Sequence, residues 1–519
     1  MCASAWAGAD EPPKVSAKPE AELFKDAPAP WRDYLIKAVA AERIADPLQR
    51  CLAYPDLPGN QWPAGHVRAH CMDHSVRAMP MADAAKLLEA GKADELEAYV
   101  RRIDGVHARH EDVGEEIHYF FRQFRSEDAD AITTAWLQAK PDSPYALTAR
   151  GNYHSGKAGR ARGGKWASET PRENLREMTA QYELALPLYR KAVAIDPRFI
   201  EAWNSMLVLA YRDSRAELEQ EAFKAANAID PGCQDLVDTR MTSLQPRWGG
   251  SYEAMLAYAE SLRPLLPARP ILARQMAAPY GDRGNRLYAE DEFTIEAVEI
   301  LDIAARIGSN EDYLEDAAKV ARIADKDAKG VHDPWKGLAY AMQAARFGER
   351  EEWTHRIISW AMVREAPDIA VRNVEIALRK DPDSTWLHYL AGGAYYNSKR
   401  PEQAEPHYLK AVEDSEQRQA SLRELVTMWM YDAGLTPKEG SIKAKPYLDR
   451  LIREYPDDGR ARMYRVQSEG AINGVIPEQL IVDFEKRADP KDPPQAWFLQ
   501  RLAEWRKNPV MRSAPAKAK

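Results

Sequence analysis

The stretch Tyr182–Pro231, YELALPLYRKAVAIDPRFIEAWNSMLVLAYRDSRAELEQEAFKAANAIDP, decides the fold. Ile195-Asp196-Pro197 recurs as Ile229-Asp230-Pro231, 34 residues further on, and Ala192 recurs as Ala226 at the same offset. Between these marks apolar residues return at helical spacing, with none of the alternation of a strand. Ala185, Tyr189, Ala192 and Pro197 close one pair of helices. Trp203 opens the next, Met206 follows it, and Phe223, Ala226 and Pro231 close it. Small residues let two helices approach, aromatic rings fill the space beyond them, and Asp-Pro stops the second helix.

That period and phasing resemble the tetratricopeptide repeat. Val374–Val412, VEIALRKDPDSTWLHYLAGGAYYNSKRPEQAEPHYLKAV, shows the resemblance again, with Gly392, Tyr395, Ala404, Tyr408 and Ala411 in the expected slots and Ala377 preceding Ala411 by 34 residues. Ala444–Val466 reads as another helix pair. Leu207, Glu219 and His388 depart from the pattern, standing where Gly, Ala and Trp are usual. The resemblance implies an all-α helical-hairpin solenoid. Six segments are expected: a signal-peptide remnant and Pro/Ala linker over 1–30, an N-terminal helical domain over 31–125, repeats over 126–270, degenerate hairpins over 271–365, C-terminal repeats over 366–508, and a disordered tail over 509–519.

Composition narrows the function. The chain has 519 residues, 45% hydrophobic and 29% charged, which suits a folded protein and not a disordered one. The 72 basic and 80 acidic residues are interspersed, a net charge of −8 that gives no footprint for nucleic acid. No apolar run approaches the roughly 20 residues that span a bilayer.

GKAGRARGGKW, Gly156–Trp166, imitates a phosphate-binding loop through Gly159, Gly164 and Lys165. Such a loop needs a buried strand before it and a Ser or Thr after the lysine. Here the preceding residues read as helix and Trp166 stands at the hydroxyl position, so nucleotide binding is rejected. The segment is expected instead to be a basic, glycine-rich insertion between two helices of a repeat, with Trp166 folded back onto the hairpin. Together with LQPRWGGSYEAMLAYAESL, Leu244–Leu262, this region resembles an exported bacterial family known as domain of unknown function 4034, over roughly residues 80 to 265. Arg247-Trp248-Gly249-Gly250 carries the resemblance, which implies fold and export but no activity.

Ala5-Trp6-Ala7 and Ala7-Gly8-Ala9 have the small-x-small form of a signal-peptidase site. A periplasmic or secreted protein is therefore expected, its chain beginning inside its own signal peptide. Cys51 and Cys71 bracket a proline- and glycine-rich turn. A disulfide between them would close a loop of about 20 residues, worth about 3 kcal/mol in the chain-entropy account, the alternative being two buried thiols. Cys233 reads as a lone thiol at a helix start.

Seven of the eleven histidines fall between residues 66 and 154. His66, His70 and His74 are spaced to share one helix face and are the candidate metal ligands. A straight helix cannot wrap three imidazoles around one ion, so an i, i+4 pair normally takes its third ligand from another element; a polar surface helix is the competing reading. Glu115-x-x-His118 and Glu352-x-x-His355 each match half of a di-iron motif, but chance supplies about one such pair, so that site is rejected. No cofactor is expected. The leading function is a non-catalytic scaffold that binds a protein or peptide on a concave face. The alternatives are an envelope enzyme using the histidines as a metal or acid–base site, and a structural spacer.

Overall fold

The computed structural model describes residues 18–109, 114–289, 294–323 and 333–507. Residues 1–17, most of the expected signal remnant and linker, and the expected tail over 509–519 lie outside them. Among the described residues there are 27 α-helices and no strand, and consecutive helices pair into hairpins that pack one on the next. The protein is an all-α, tetratricopeptide-like helical-hairpin solenoid. It divides into two compact units, Ile44–Gly348 and, as the other, the residues through Arg43 together with Glu349 onward.

In the Ile44–Gly348 unit the opening stretch forms the helices Arg172–Ile195, Ile200–Arg212 and Ala216–Ile229. Asp196 and Asp230 close the first and third with extended φ of −130° and −149°, as a residue before proline must. Helix Pro144–Arg162 starts at Ser143, whose hydroxyl accepts from the Ala146 N–H, and has proline in its first turn. It pairs with Arg172–Ile195 through Gly151, where a Cβ would lie 2.4 Å from the Tyr189 ring. Tyr189 is fully buried, and its hydroxyl donates to Asn152 at 2.8 Å. Ala185, Ala192 and Ala226 are wholly buried around such contacts, whereas Trp203 and Phe223 are half-buried and Pro197 and Pro231 exposed.

The expected glycine-rich insertion is mostly helix. Pro144–Arg162 runs through Gly156 and Gly159, and only residues 163–171 connect it to its partner. Gly156 is there for close approach, since a Cβ would lie 2.0 Å from the Arg125 carbonyl oxygen. Trp166 does not fold in: it stays 49% exposed, with the Arg247 guanidinium 6.0 Å from its ring centre. The Arg247-Trp248-Gly249-Gly250 segment is a tight turn, Gly249 taking φ +92° and Trp248 lying under the Arg162 guanidinium at 4.7 Å.

The other unit begins where a linker is expected. Leu23 and Phe24 are buried, the Phe24 N–H donates to Glu365 at 3.1 Å, and helix Ala29–Glu42 follows. Glu365, between helices Glu352–Met362 and Pro367–Lys380, also pairs with Lys18, tying the start of this unit to that hairpin. Thr385–Asn397 and Pro401–Ala411 come next, and a Cβ on Gly392 would lie 2.6 Å from the Tyr408 ring. Tyr395, Ala404, Tyr408 and Ala411 are buried in this hairpin. Ser415–Thr427 ends in a π turn, Met428–Asp432, that turns Trp429 inward, where its Nε1 donates to Glu405 at 3.0 Å. Pro437–Glu454, Gly459–Asn473, Glu478–Arg487 and Pro493–Lys507 complete the array.

Pro187, Pro406 and Pro446 lie inside second helices of hairpins, all three exposed and each two residues before a buried Tyr or Leu facing the partner helix. A proline removes one ladder hydrogen bond and bends a helix away from its own side. Placed on the solvent face, where water satisfies the freed carbonyl, it curves the helix around its partner. Replacing Gly151 with Val is expected to cost about 1–3 kcal/mol by overpacking against Tyr189. Urea denaturation of the variant against the parent measures it.

Candidate functional site

Helix His66–Asp73 starts after Gly65, which takes φ +80°. Its position is fixed by Cys51 and Cys71, whose Cα atoms are 5.8 Å apart and whose sulfurs are at bonding distance. The buried Arg346 side chain donates to the Cys51 carbonyl at 2.7 Å and pairs with Asp56 at 2.8 Å, holding the preceding loop. The face carrying His66, His70 and His74 is thereby pressed against the segment Pro270–Glu311.

The three rings do not converge. His66 is fully buried with both nitrogens engaged, Nδ1 2.8 Å from the Pro270 carbonyl oxygen and Nε2 2.6 Å from Ser309 Oγ. His70 is also fully buried, with Nδ1 2.6 Å from the same Ser309 hydroxyl and the Phe347 ring stacked on it at 3.9 Å. Its Nε2 faces His74 Nε2 at 3.1 Å and Glu311 Oε2 at 3.4 Å, while His74 Nε2 lies 3.6 Å from Glu311 Oε1. His66 is thus turned away from the other two, and Glu311 takes the third place. Burial pushes the His66 imidazole down to about 4 and the His70 imidazole well below the usual range, so both are neutral.

Glu311 is the first residue of helix Glu311–Ile323, where a carboxylate meets the positive end of the backbone dipoles. Arg274 Nη2 approaches it at 3.0 Å, and Arg274 Nη1 lies 3.7 Å from Asp73 Oδ2. Burial alone would raise the Glu311 carboxyl, but the guanidinium outweighs it and holds the group well below the carboxylate range. Tyr119 OH donates to Asp73 at 3.1 Å.

These groups form one wall of a cleft of about 290 Å³. Helices Glu116–Arg122 and Gln234–Ser243 form the other. Glu115 accepts the Gln234 and Asp235 N–H groups at 2.5 and 2.9 Å, satisfying two of the donors a helix N-terminus leaves open. Cys233, the free and buried thiol, stands just before that helix, with its sulfur 3.6 Å from Glu115 Oε2. His118 Nδ1 lies 2.7 Å from Asp235 Oδ2 and 3.9 Å from Glu201 Oε2. Burial opposes the charge on His118, yet Asp235 and Glu201 outweigh it and push its pKa up to about 10. Burial pushes Glu115 and Asp238 each up to about 7. The walls carry five carboxyl groups, Asp73, Glu115, Asp235, Asp238 and Glu311, against three guanidiniums, Arg77, Arg122 and Arg274.

The sequence motifs fare differently. Glu115 and His118, rejected as half a di-iron site, both line this cleft but take separate partners. His355 is buried and local, accepting the Arg350 N–H at 3.0 Å and meeting Asn373 at 2.8 Å. His388 and His407 sit Nδ1 to Nδ1 at 2.8 Å in the C-terminal repeats. A second, wider cavity of about 690 Å³ in that unit is lined by the pairs Arg423–Asp458 at 2.7 Å and Arg460–Asp492 at 2.9 Å, which tie successive hairpins together.

A family model described as a tetratricopeptide repeat matches residues 361–419. No curated protein matches the sequence. Among solved structures, the chain is similar to yeast Tom70 at 12% identity, covering 80% of this chain and 98% of that one with a TM-score of 0.27. It is similar to the P58(IPK) TPR domain at 14% identity, covering 73% and 94% with a TM-score of 0.24. A human IFIT1 dimer with m7Gppp-AAAA is similar at 14% identity, covering 87% and 94% with a TM-score of 0.26. Scores this low carry no argument about what this chain binds.

Titration of the cleft should set the pH dependence of stability. Glu115 rises from an ordinary 4.5 to about 7 on folding, so the folded state keeps its proton longer and stability falls as pH climbs through that window. His118 rises from 6.5 to about 10, and its contribution, complete below 6.5, is lost as pH rises through 10. Urea midpoints are expected to fall across both windows, Glu115→Gln flattening the acid segment and His118→Gln the alkaline one.

Proposed function

We propose that this protein is a non-catalytic helical-repeat scaffold that binds an extended segment of another protein along the first helices of its C-terminal hairpins. The observation that carries the reading is a stripe on helix Thr385–Asn397. Trp386, Tyr389, Gly393 and Tyr396 follow one another at three- and four-residue steps along one face, all half-exposed, while Leu387, Leu390, Ala391 and Ala394 are buried behind them. The stripe lies inside the segment that matches the tetratricopeptide family. Amphipathic aromatic rings held on a rigid helix give large contact area for little entropy, as peptide recognition needs. Helix Ser415–Thr427 and its π turn carry half-exposed Gln419, Arg423, Thr427 and Tyr431 at four-residue steps.

The test is a photo-crosslinking residue placed at Tyr389 or Tyr396, and at Glu402 on the exposed side of the second helix. One discrete protein adduct from the first-helix positions and none from Glu402 is expected; equal labelling from both sides, or none at all, would sink the reading.

We further propose that the protein works in an oxidising compartment of the cell envelope, which the Cys51–Cys71 geometry supports. Alkylation of thiols during acid-quenched denaturation of whole cells, without reductant, should leave both cysteines unlabelled. Reduction of the pure protein should lower its stability by about 3 kcal/mol. Full labelling of both in cells would place it in a reducing compartment.

A further inference from the structure

We propose that His70, His74 and Glu311 form a three-ligand site for a divalent transition metal of the zinc class, with its fourth position open to the cleft. The inference is independent of the peptide-binding reading, because it concerns only the Ile44–Gly348 unit.

The Pro270 carbonyl can only accept, so His66 Nδ1 carries a hydrogen and His66 Nε2 presents a lone pair. That lone pair meets the Ser309 N–H at 3.2 Å and the Ser309 hydroxyl at 2.6 Å, which spends the hydroxyl's one proton. The Ser309 oxygen then accepts from His70 Nδ1 at 2.6 Å, and His70 Nε2 is left bare. This relay is the outer shell a metal-bound imidazole requires: it fixes the tautomer and aims the ring. Phe347, stacked on His70 at an interplanar angle of 12°, removes the remaining freedom.

The bare nitrogen faces a carboxylate oxygen of Glu311 at 3.4 Å, acceptor against acceptor, with His74 Nε2 at 3.1 Å. A shared cation resolves that opposition. Bonds of about 2.0–2.1 Å in tetrahedral arrangement put ligand atoms about 3.3 Å apart. His70 Nε2 lies 3.1 Å from His74 Nε2 and 3.4 Å from Glu311 Oε2, His74 Nε2 lies 3.6 Å from the other carboxylate oxygen, Oε1, and one ligand atom from each residue falls within 4.8 Å of the other two, close enough for one ion to draw them together. Two histidines at i, i+4 on one helix and a carboxylate from another supply the ligands. His66, with both nitrogens engaged, is a positioning residue.

The side chain of His74 is 32% exposed, and with Glu311 it lines the cleft, so the fourth position looks into the 290 Å³ cavity. Two imidazole nitrogens and one oxygen select zinc, cobalt or nickel over magnesium and calcium.

The full chain, stripped with chelator and dialysed against micromolar Zn²⁺, is expected to retain one equivalent by elemental analysis, undiminished by excess Mg²⁺ or Ca²⁺. His74→Ala and Glu311→Gln should each weaken Zn²⁺ binding by about 100-fold, and His66→Gln by about 10-fold. His407→Ala, which removes the other close histidine pair, should leave it unchanged. Co²⁺ bound to the unaltered chain should give the intense visible absorption of a four-coordinate ion, a readout that does not depend on any variant folding. Less than a tenth of an equivalent of zinc, binding that survives His74→Ala but falls with His407→Ala, or a weak six-coordinate cobalt spectrum would each overturn the proposal.

Discussion

A tyrosine ring laid against a glycine is the contact on which the helical hairpins depend. It occurs at Gly151 with Tyr189, at Gly281 with Tyr313 and at Gly392 with Tyr408, where an added Cβ would come within 2.2 to 2.6 Å of the ring. Each glycine lowers the barrier of side-chain bulk between helix axes, and each ring fills the space so opened with a large apolar surface. Alanines, among them Ala185, Ala192, Ala404 and Ala411, keep the rest of the seam narrow. The exposed prolines on the outer helices then bend those helices over the seam, so that a close contact at one point extends along the pair.

Against this alanine- and tyrosine-rich packing, the cleft of the Ile44–Gly348 unit is an exception. Ionised groups withdrawn from water are costly unless each finds a partner. Here the partners are shared: Arg274 reaches both Glu311 and Asp73, Asp235 receives His118 and Asn204, and Glu115 takes two backbone N–H groups. Burial nonetheless leaves Glu115 and Asp238 with raised pKa values, the cost of withdrawing carboxyl groups from water. Polar groups concentrated at such cost are commoner at functional sites than in structural cores.

The sequence makes the hairpins legible because their determinants are local and periodic. Gly392, Tyr408 and Ala411 sit within one repeat, and Asp381-Pro382 marks the end of the helix before it. Residues 18–30 read as linker because their Pro/Ala content conceals Leu23 and Phe24, which are buried, with the Phe24 N–H held by the distant Glu365. The glycines of 156–164 suggest an open loop, but Gly156 serves contact with Arg125. The cleft is only half legible. The i, i+4 spacing of His70 and His74 can be read directly, but Glu311, Ser309 and Pro270 lie some 200 to 240 residues away, and they alone decide that His66 turns aside. No periodicity connects such positions.

That separation has a thermodynamic consequence. The link from His70 to Ser309 spans 239 residues, whereas each hairpin closes over a few dozen. Entropy of loop closure rises with span, so this contact costs the unfolded chain more to close than any single hairpin does. A molecule or ion bound there would act as a clasp: it would fasten the two ends of the Ile44–Gly348 unit and stabilise every turn of chain between them by mass action, without touching those turns.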